Sequence, residues 1–141
     1  MKIKGIKLIL ANLFLLWFFS SCSNEKGIQE VRIVYAPENI NINVPATCSD
    51  FEFELIDVKR KRISEKGFLR KVDDALGKLK MDLENDFSTK SVDVRIRCFV
   101  DYKEKTDTLC SGEYEGVILN GELMNDNQVL LDLLKSNLYE E

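Results

Sequence analysis

Apolar residues recur at three- and four-residue steps along one stretch of this chain: Phe68, Val72, Ala75, Leu76, Leu79, Leu83 and Phe87, with polar residues filling the opposite face. That period belongs to an α-helix, so the stretch predicts one amphipathic helix from about Glu65 to Asp86. Ser64 stands at its start, with Ile63 before it and Phe68 four residues on, the arrangement of a hydrophobic staple. Gly77 lowers helix propensity within the stretch. A helix with a single apolar stripe has to cover an apolar surface, so the rest of the chain must supply one.

The run from Val92 to Tyr102 supplies it. Apolar and polar residues alternate there, the mark of a half-buried strand. Lys103-Glu104-Lys105 is a polar turn, and Thr106–Gly112 reads as the return strand. Val31–Tyr35 is another β-rich run, ended by Ala36-Pro37-Glu38-Asn39. Ile40, Ile42 and Val44 alternate with asparagines, and Phe51, Phe53 and Leu55 alternate with glutamates, although Ser49-Asp50 offers a helix cap there. Gly116–Leu119 resembles one more strand, Asn120-Gly121 is a type I′ turn signal, and Glu122–Met124 is its short return. Asn125 or Asp126 then caps a last helix carrying Val129, Leu130, Leu133, Leu134 and Leu138 on one stripe. The order predicts an α+β fold: a mainly antiparallel β-sheet with two amphipathic helices packed on one face.

Met1–Lys7 carries three lysines, and Leu8–Phe19 follows with Asn12 as its one polar residue. Twelve residues match the apolar region of a signal peptide and fall short of the roughly 20 that cross a bilayer. Phe19-Ser20-Ser21-Cys22 comes next and resembles the bacterial lipobox, with Phe19 where leucine is usual. The resemblance implies cleavage of residues 1–21, lipid (diacylglycerol and palmitate-type acyl chains) on Cys22, and a polar tether over 22–30 ahead of a single domain over 31–141. Ser23 after the cysteine, where some members have Asp, implies an outer-membrane address in the cell envelope. The aromatic-rich signal and long polar strands are similar to those of lipoproteins of the Bacteroides group. Cleavage would remove Lys2, Lys4 and Lys7, leaving 17 basic and 24 acidic side chains and a formal charge of −7, against −4 for the whole chain. Such a domain has no electrostatic attraction to nucleic acid and is repelled by anionic lipid, so membrane attachment falls to the anchor.

Export places Cys48, Cys98 and Cys110 where disulfides persist. With the hairpin centred on Glu104, Cys98 lies opposite Cys110, on the face of Val94, Ile96 and Val100, and the pair is predicted to form a disulfide. The same register sets Asp101 opposite Asp107. No Cys-x-x-Cys is present, which argues against thioredoxin-type chemistry.

Histidine is absent, which removes Ser–His–Asp and Cys–His catalysis within the chain. No glycine-rich nucleotide loop and no zinc spacing occurs, so no cofactor, metal or catalytic residue is predicted. Asp82, Glu84 and Asp86 imitate the start of a calcium loop, but Phe87 occupies the place where the turn needs glycine. Lys59-Arg60-Lys61-Arg62 suits an exposed edge strand, where charge discourages sheet-to-sheet association; an anionic contact is the other reading. Tyr35, Tyr102, Tyr114 and Tyr139 are too scattered in sequence to read as a carbohydrate platform. The leading expectation is a non-enzymatic, membrane-anchored envelope lipoprotein whose domain binds another macromolecule, as an immunity or inhibitor protein or an accessory subunit with a protein partner. A small carboxylate-dependent hydrolase and a carrier of lipid or small ligands are the alternatives.

Overall fold

The computed structural model describes residues 27–38, 40, 45–51, 57–83 and 92–139. The predicted signal segment 1–21, Cys22, and the tether up to residue 26 lie outside them. So do residues 41–44 and 52–55 of the two expected short strands. The described residues form six strands and two helices: β1 (Glu30–Tyr35), β2 (Lys59–Ile63), α1 (Lys66–Leu76), β3 (Val94–Asp101), β4 (Thr106–Gly112), β5 (Val117–Leu119), β6 (Glu122–Met124) and α2 (Gln128–Tyr139). The strands make one sheet, ordered β2-β1-β3-β4-β5-β6, with every neighbouring pair antiparallel. β2 and β3 flank β1 on its two sides, and α1 lies in the crossover that joins them. The fold is α+β, as the element order predicts. No helix among the described residues is long and apolar enough to cross a membrane.

Helix α1 is shorter than its apolar stripe. Glu65, rather than Ser64, caps it: its carboxylate accepts from the Gly67 and Phe68 amides, both at 2.7 Å. Those bonds satisfy donors that the first turn leaves orphaned. The helix stops at Leu76 and does not reach Asp86. At Gly77 the bonding tightens, with Lys78 N–H donating to Ala75 O and Leu79 N–H to Leu76 O. The chain then leaves to cover the outer edge of β6, where Asp82 N–H donates to Leu123 O and Asn125 N–H to Lys80 O. Gly77 weakens the helix at this point, and the open edge of β6 offers the segment other backbone partners. Leu83 is consequently 86% exposed instead of continuing a buried stripe. Asp82 sits in this edge segment and off the helix, while Glu84, Asp86 and Phe87 lie outside the described residues.

Helix α2 is capped by Asn127, whose side-chain oxygen accepts from the Leu130 amide at 3.1 Å. Asp126, one of the two residues expected to cap it, accepts from Gly116 N–H at 2.7 Å and pins the β4–β5 turn. Leu130, Leu131, Leu134 and Leu138 are buried, whereas Val129 is 71% exposed and lies off the stripe. The turn between β5 and β6 holds Asn120 at φ 52° and Gly121 at φ 89°, the two positive values that a type I′ turn demands.

The β3–β4 hairpin differs from the expected register by one residue. Asp101 opposes Thr106, Cys98 opposes Leu109 and Arg97 opposes Cys110. A four-residue loop closed by Tyr102 N–H on Lys105 O replaces the three-residue one. This separates Asp101 from Asp107, a like-charge pair that direct opposition would penalise. Asp101 instead accepts from Thr106 Oγ1 at 2.7 Å and from Arg32 on two nitrogens at 2.6 and 3.0 Å. A one-residue slip turns every side chain of one strand to the other face. Cys110 therefore points away from Cys98, and the predicted Cys98–Cys110 disulfide is not formed. Cys110 bonds to Cys48, 62 residues away in sequence, and Cys98 is a buried free thiol.

Both faces of the sheet carry a core. On the helix side Val31, Ile33, Ile96, Cys98, Val100 and Leu109 meet Phe68 and Val72 of α1 and the leucines of α2. Full burial of each such leucine contributes about 1.5–3 kcal/mol. On the other side Val34, Val94, Cys110, Ile118 and Leu123 meet Ala46 and Phe51. Val94 belongs to this second core and not, as expected, with Ile96 and Val100, because the β3–β4 register shifts between Val94 and Ile96. A bulge of this kind exchanges the faces of the residues on its two sides. Ala46 is tied in by Val94 N–H donating to its carbonyl at 2.9 Å. The disulfide then clamps the segment to β4.

Candidate functional site

The basic run 59–62 forms β2, at the edge of the sheet, with all four side chains exposed. Lys61 reaches across to the Asn137 carbonyl, placing a cation against the last turn of α2, where the helix dipole favours it. Arg62 pairs with Glu30 at 3.4 Å. On β1 and β3, Arg32 and Arg97 stand over Phe99 at 5.0 and 4.9 Å. The location of the run is the one in which charge protects an edge from unwanted pairing.

A different region gathers groups suited to recognition. Two of the scattered tyrosines meet where β1 ends, and a third, Tyr114, lines the same cavity as Tyr139. Tyr139, in the last turn of α2, stands edge-on to Tyr35 with ring centroids 5.6 Å apart and planes at 76°. Its hydroxyl donates to Ala36 O at 2.8 Å. Burial first, then the neighbouring Tyr35, Glu38 and Glu113, pushes the Tyr139 hydroxyl up to about 12. It stays protonated and serves as a fixed donor. One helical turn earlier, Lys135 shares the same face of α2 and sits 5.3 Å over the ring of Tyr114, in the turn after β4. Tyr114 is 74% exposed.

Arg95 enters from the bulge on β3. Bulges re-aim side chains, and this one sends a guanidinium into a wall where its side chain is 13% exposed. Asp93 accepts from Arg95 Nε at 3.1 Å and Nη2 at 2.7 Å, and Ile40 O accepts from Nη1 at 3.1 Å. Arg95, Tyr114, Lys135 and Tyr139, with Glu38 from beyond the end of β1 and Glu113 from the β4–β5 turn, line a cavity of about 160 Å³. Its inner wall is rigid, because the Tyr139 hydroxyl and the Arg95 fork are both tied to backbone or carboxylate. Its rim, made by Tyr114 and Lys135, is open to solvent.

The cavity would hold about five waters at roughly 30 Å³ each. It is smaller than the roughly 300–1,000 Å³ of pockets that enclose a free drug-sized ligand. It suits one side chain or one small polar group. The interface between helices and sheet, where a lipid carrier would need its cavity, is filled by Val72, Leu130, Leu131 and Leu134, all at most 1% exposed. The carboxylates that the fold engages most strongly are held acidic: hydrogen bonding to Arg32 lowers Asp101, and backbone donors lower Glu65.

Of the residues singled out from sequence, Cys98 and Cys110 lie on opposite faces of the sheet, away from the cavity lining, and Cys22 lies outside the described residues. The cavity was not visible in the sequence, although Lys135 and Tyr139 are spaced for one helix face. Burial makes the Cys98 thiol a poor nucleophile, pushing it up to about 12. No family model, curated protein or solved structure matches the chain.

Proposed function

We propose that this protein is an envelope lipoprotein, tethered to a membrane through Cys22, whose domain is a non-enzymatic module for binding another protein. The observation that carries the reading is the cavity built by Tyr114, Tyr139 and Arg95. Tyrosine and arginine are the residue types that anchor protein interfaces, and such anchors fill small, well-packed pockets near the centre of the contact. A cavity of side-chain size with a rigid floor and an exposed aromatic rim fits that part. The Cys48–Cys110 disulfide supports an exported location, since such bonds persist in oxidising compartments. The lipobox-like Phe19-Ser20-Ser21-Cys22 supports the anchor.

Two experiments test the reading. Crosslinking in intact cells, followed by purification from detergent-solubilised membranes, is expected to recover a partner with the wild-type protein and to lose it with Tyr114→Ala. An identical set from both proteins, or no partner from either, rejects the cavity as an interface. Metabolic labelling with a fatty acid is expected to mark the wild type and not Cys22→Ala; equal labelling rejects the anchor. Glu38 and Glu113 line the same cavity, which supports a carboxylate-dependent hydrolase as the second reading. That reading requires a turnover that Glu38→Gln and Glu113→Gln each abolish.

A further inference from the structure

We infer that the cavity between the end of β1, the β4–β5 turn and α2 receives a basic side chain, lysine or arginine, from a protein partner. The inference rests on the reading of this cavity as an interface anchor and assigns the chemistry of what enters it. The first ground is that the site already holds a cation of its own. Lys135 is poised 5.3 Å from the Tyr114 ring on an exposed rim, the position in which an ammonium is attracted by the negative face of an aromatic ring. The second ground is the charge of the lining. Glu38 and Glu113 contribute two carboxylates, and Arg95 and Lys135 contribute two cations. Arg95 is held against Asp93 through two nitrogens, so its charge is largely spent inside the wall. With Asp93 counted beside Arg95 in the wall, three carboxylates stand against two cations, and Lys135 is the cation at the rim.

Third, the polar groups in the lining include acceptors of the right kind. A partner's ammonium or guanidinium brings donors and no acceptor. The Glu38 and Glu113 carboxylates and the Tyr114 ring face can receive it. A carboxylate ligand would meet two glutamates and displace Asp93 from Arg95, exchanging one ion pair for another. The size agrees as well: the end of one long side chain fills about 160 Å³, and a larger group does not. Lys135 acts as an internal placeholder, and an incoming cation takes its position over Tyr114.

The test uses the folded protein with labelled tyrosine rings and follows their NMR signals during titration. The probes are the blocked amino acids Nα-acetyl-lysine methylamide and Nα-acetyl-arginine methylamide. Nα-acetyl-glutamate methylamide and methyl glucoside are the controls. A basic probe is expected to shift Tyr114 and Tyr139 and to leave Tyr102 in place. Lys135→Met keeps the apolar stem and removes the competing charge, so it is expected to bind the basic probe about two- to fivefold more tightly, the equivalent of one exposed cation–aromatic contact. Glu38→Gln with Glu113→Gln is expected to weaken it at least as much. Tyr114 is exposed enough that Tyr114→Ala leaves the fold intact, and in this variant the Tyr139 ring is expected to stay unshifted by the basic probe.

The inference is overturned if no basic probe shifts these rings in Lys135→Met, or if the glutamate or glucoside probe shifts them equally. It is also overturned if the glutamine pair binds the basic probes as the wild type does. Should the probes fail while Tyr114-dependent capture of a partner persists, the cavity remains an interface and only its preference for a cation is rejected.

Discussion

Removing the disulfide by Cys48→Ser gives a quantitative test of the β3–β4 register, because the two possible pairings close loops of very different length. The Cys48–Cys110 bridge spans 62 residues. Loop-closure entropy for that span is about 14 cal/mol/K, or about 4.3 kcal/mol at 25 °C. A Cys98–Cys110 bridge would close a short hairpin and contribute only about 2.8 kcal/mol. Cys48→Ser should therefore lower unfolding stability by about 4 kcal/mol, a large part of the roughly 5–15 kcal/mol of a typical domain. For a domain of this size that corresponds to a fall in Tm of about 15 °C. Cys98→Ala should cost about 1 kcal/mol, an ordinary loss for trimming a buried side chain. Cys110 cannot turn to Cys98 for a substitute bond, since the two lie on opposite faces of the sheet. The assay is urea unfolding followed by circular dichroism, with and without reductant, for wild type and both variants, together with a non-reducing peptide map. The reasoning is refuted if Cys98→Ala is the more damaging change, if reductant leaves the wild-type midpoint unmoved, or if the map joins Cys98 to Cys110.

Other consequences are as direct. The Cys98 thiol, buried and raised to about 12, should resist alkylation at pH 8 in the native protein and react only in denaturant; rapid labelling of the native fold would contradict its burial. Asp101 is lowered below the usual carboxylate range, chiefly by its hydrogen bonds to Arg32, so the native state favours its charged form. That stabilisation is present above the unfolded value of about 3.9 and is lost as pH falls below it toward the folded value. Because both partners are partly exposed, the pair contributes under about 1 kcal/mol; Asp101→Asn should flatten acid sensitivity below pH about 4, and an unchanged profile would remove the pair from the account. Gly116 has φ +86°, and a Cβ there would stand 2.6 Å from the Val92 side chain. Gly116→Ala should destabilise by about 1–3 kcal/mol in the same urea assay, whereas Gly121→Ala meets no neighbour and should show only the backbone part of that cost.

Periodicity announced the elements and left their partners unspoken. The stripe from Phe68 to Leu76 became α1, and the alternation from Val94 to Val100 became β3, whose Ile96, Cys98 and Val100 line the helix-side core. Leu79, Leu83 and Phe87 continue the same period in the sequence, yet the helix ends at Leu76. A β6 edge in need of cover is a tertiary demand with no local signature. The hairpin shows the same limit more sharply. Val92–Tyr102 and Thr106–Gly112 read clearly as strands, but a two-residue period cannot choose between registers one residue apart. The register with Asp101 facing Asp107 places like charges together, and the other gives Asp101 a contact with Thr106. The first of these was visible in the sequence. It carried more information about cysteine pairing than the cysteines did.

The candidate site was invisible for a geometric reason. Tyr35, Tyr114 and Tyr139 come from the end of a strand, a turn and the last turn of a helix, three places where regular hydrogen bonding ends and the chain changes direction. An antiparallel sheet collects such places at its two ends regardless of their distance in sequence. β1 connects those ends in this molecule. The proposed tether enters at Glu30, and the cavity begins where the strand stops, at Ala36 and Glu38. Six extended residues at about 3.3 Å each separate the two by about 20 Å. Attachment through a segment just before β1 would thus direct the membrane to one end of the sheet and present the tyrosine cavity at the other, with the rim of Tyr114 and Lys135 turned toward whatever approaches from solvent. On the proposed function β1 would set both the point of attachment and the direction of recognition, and binding at the cavity and anchoring at Cys22 should be separable by mutation.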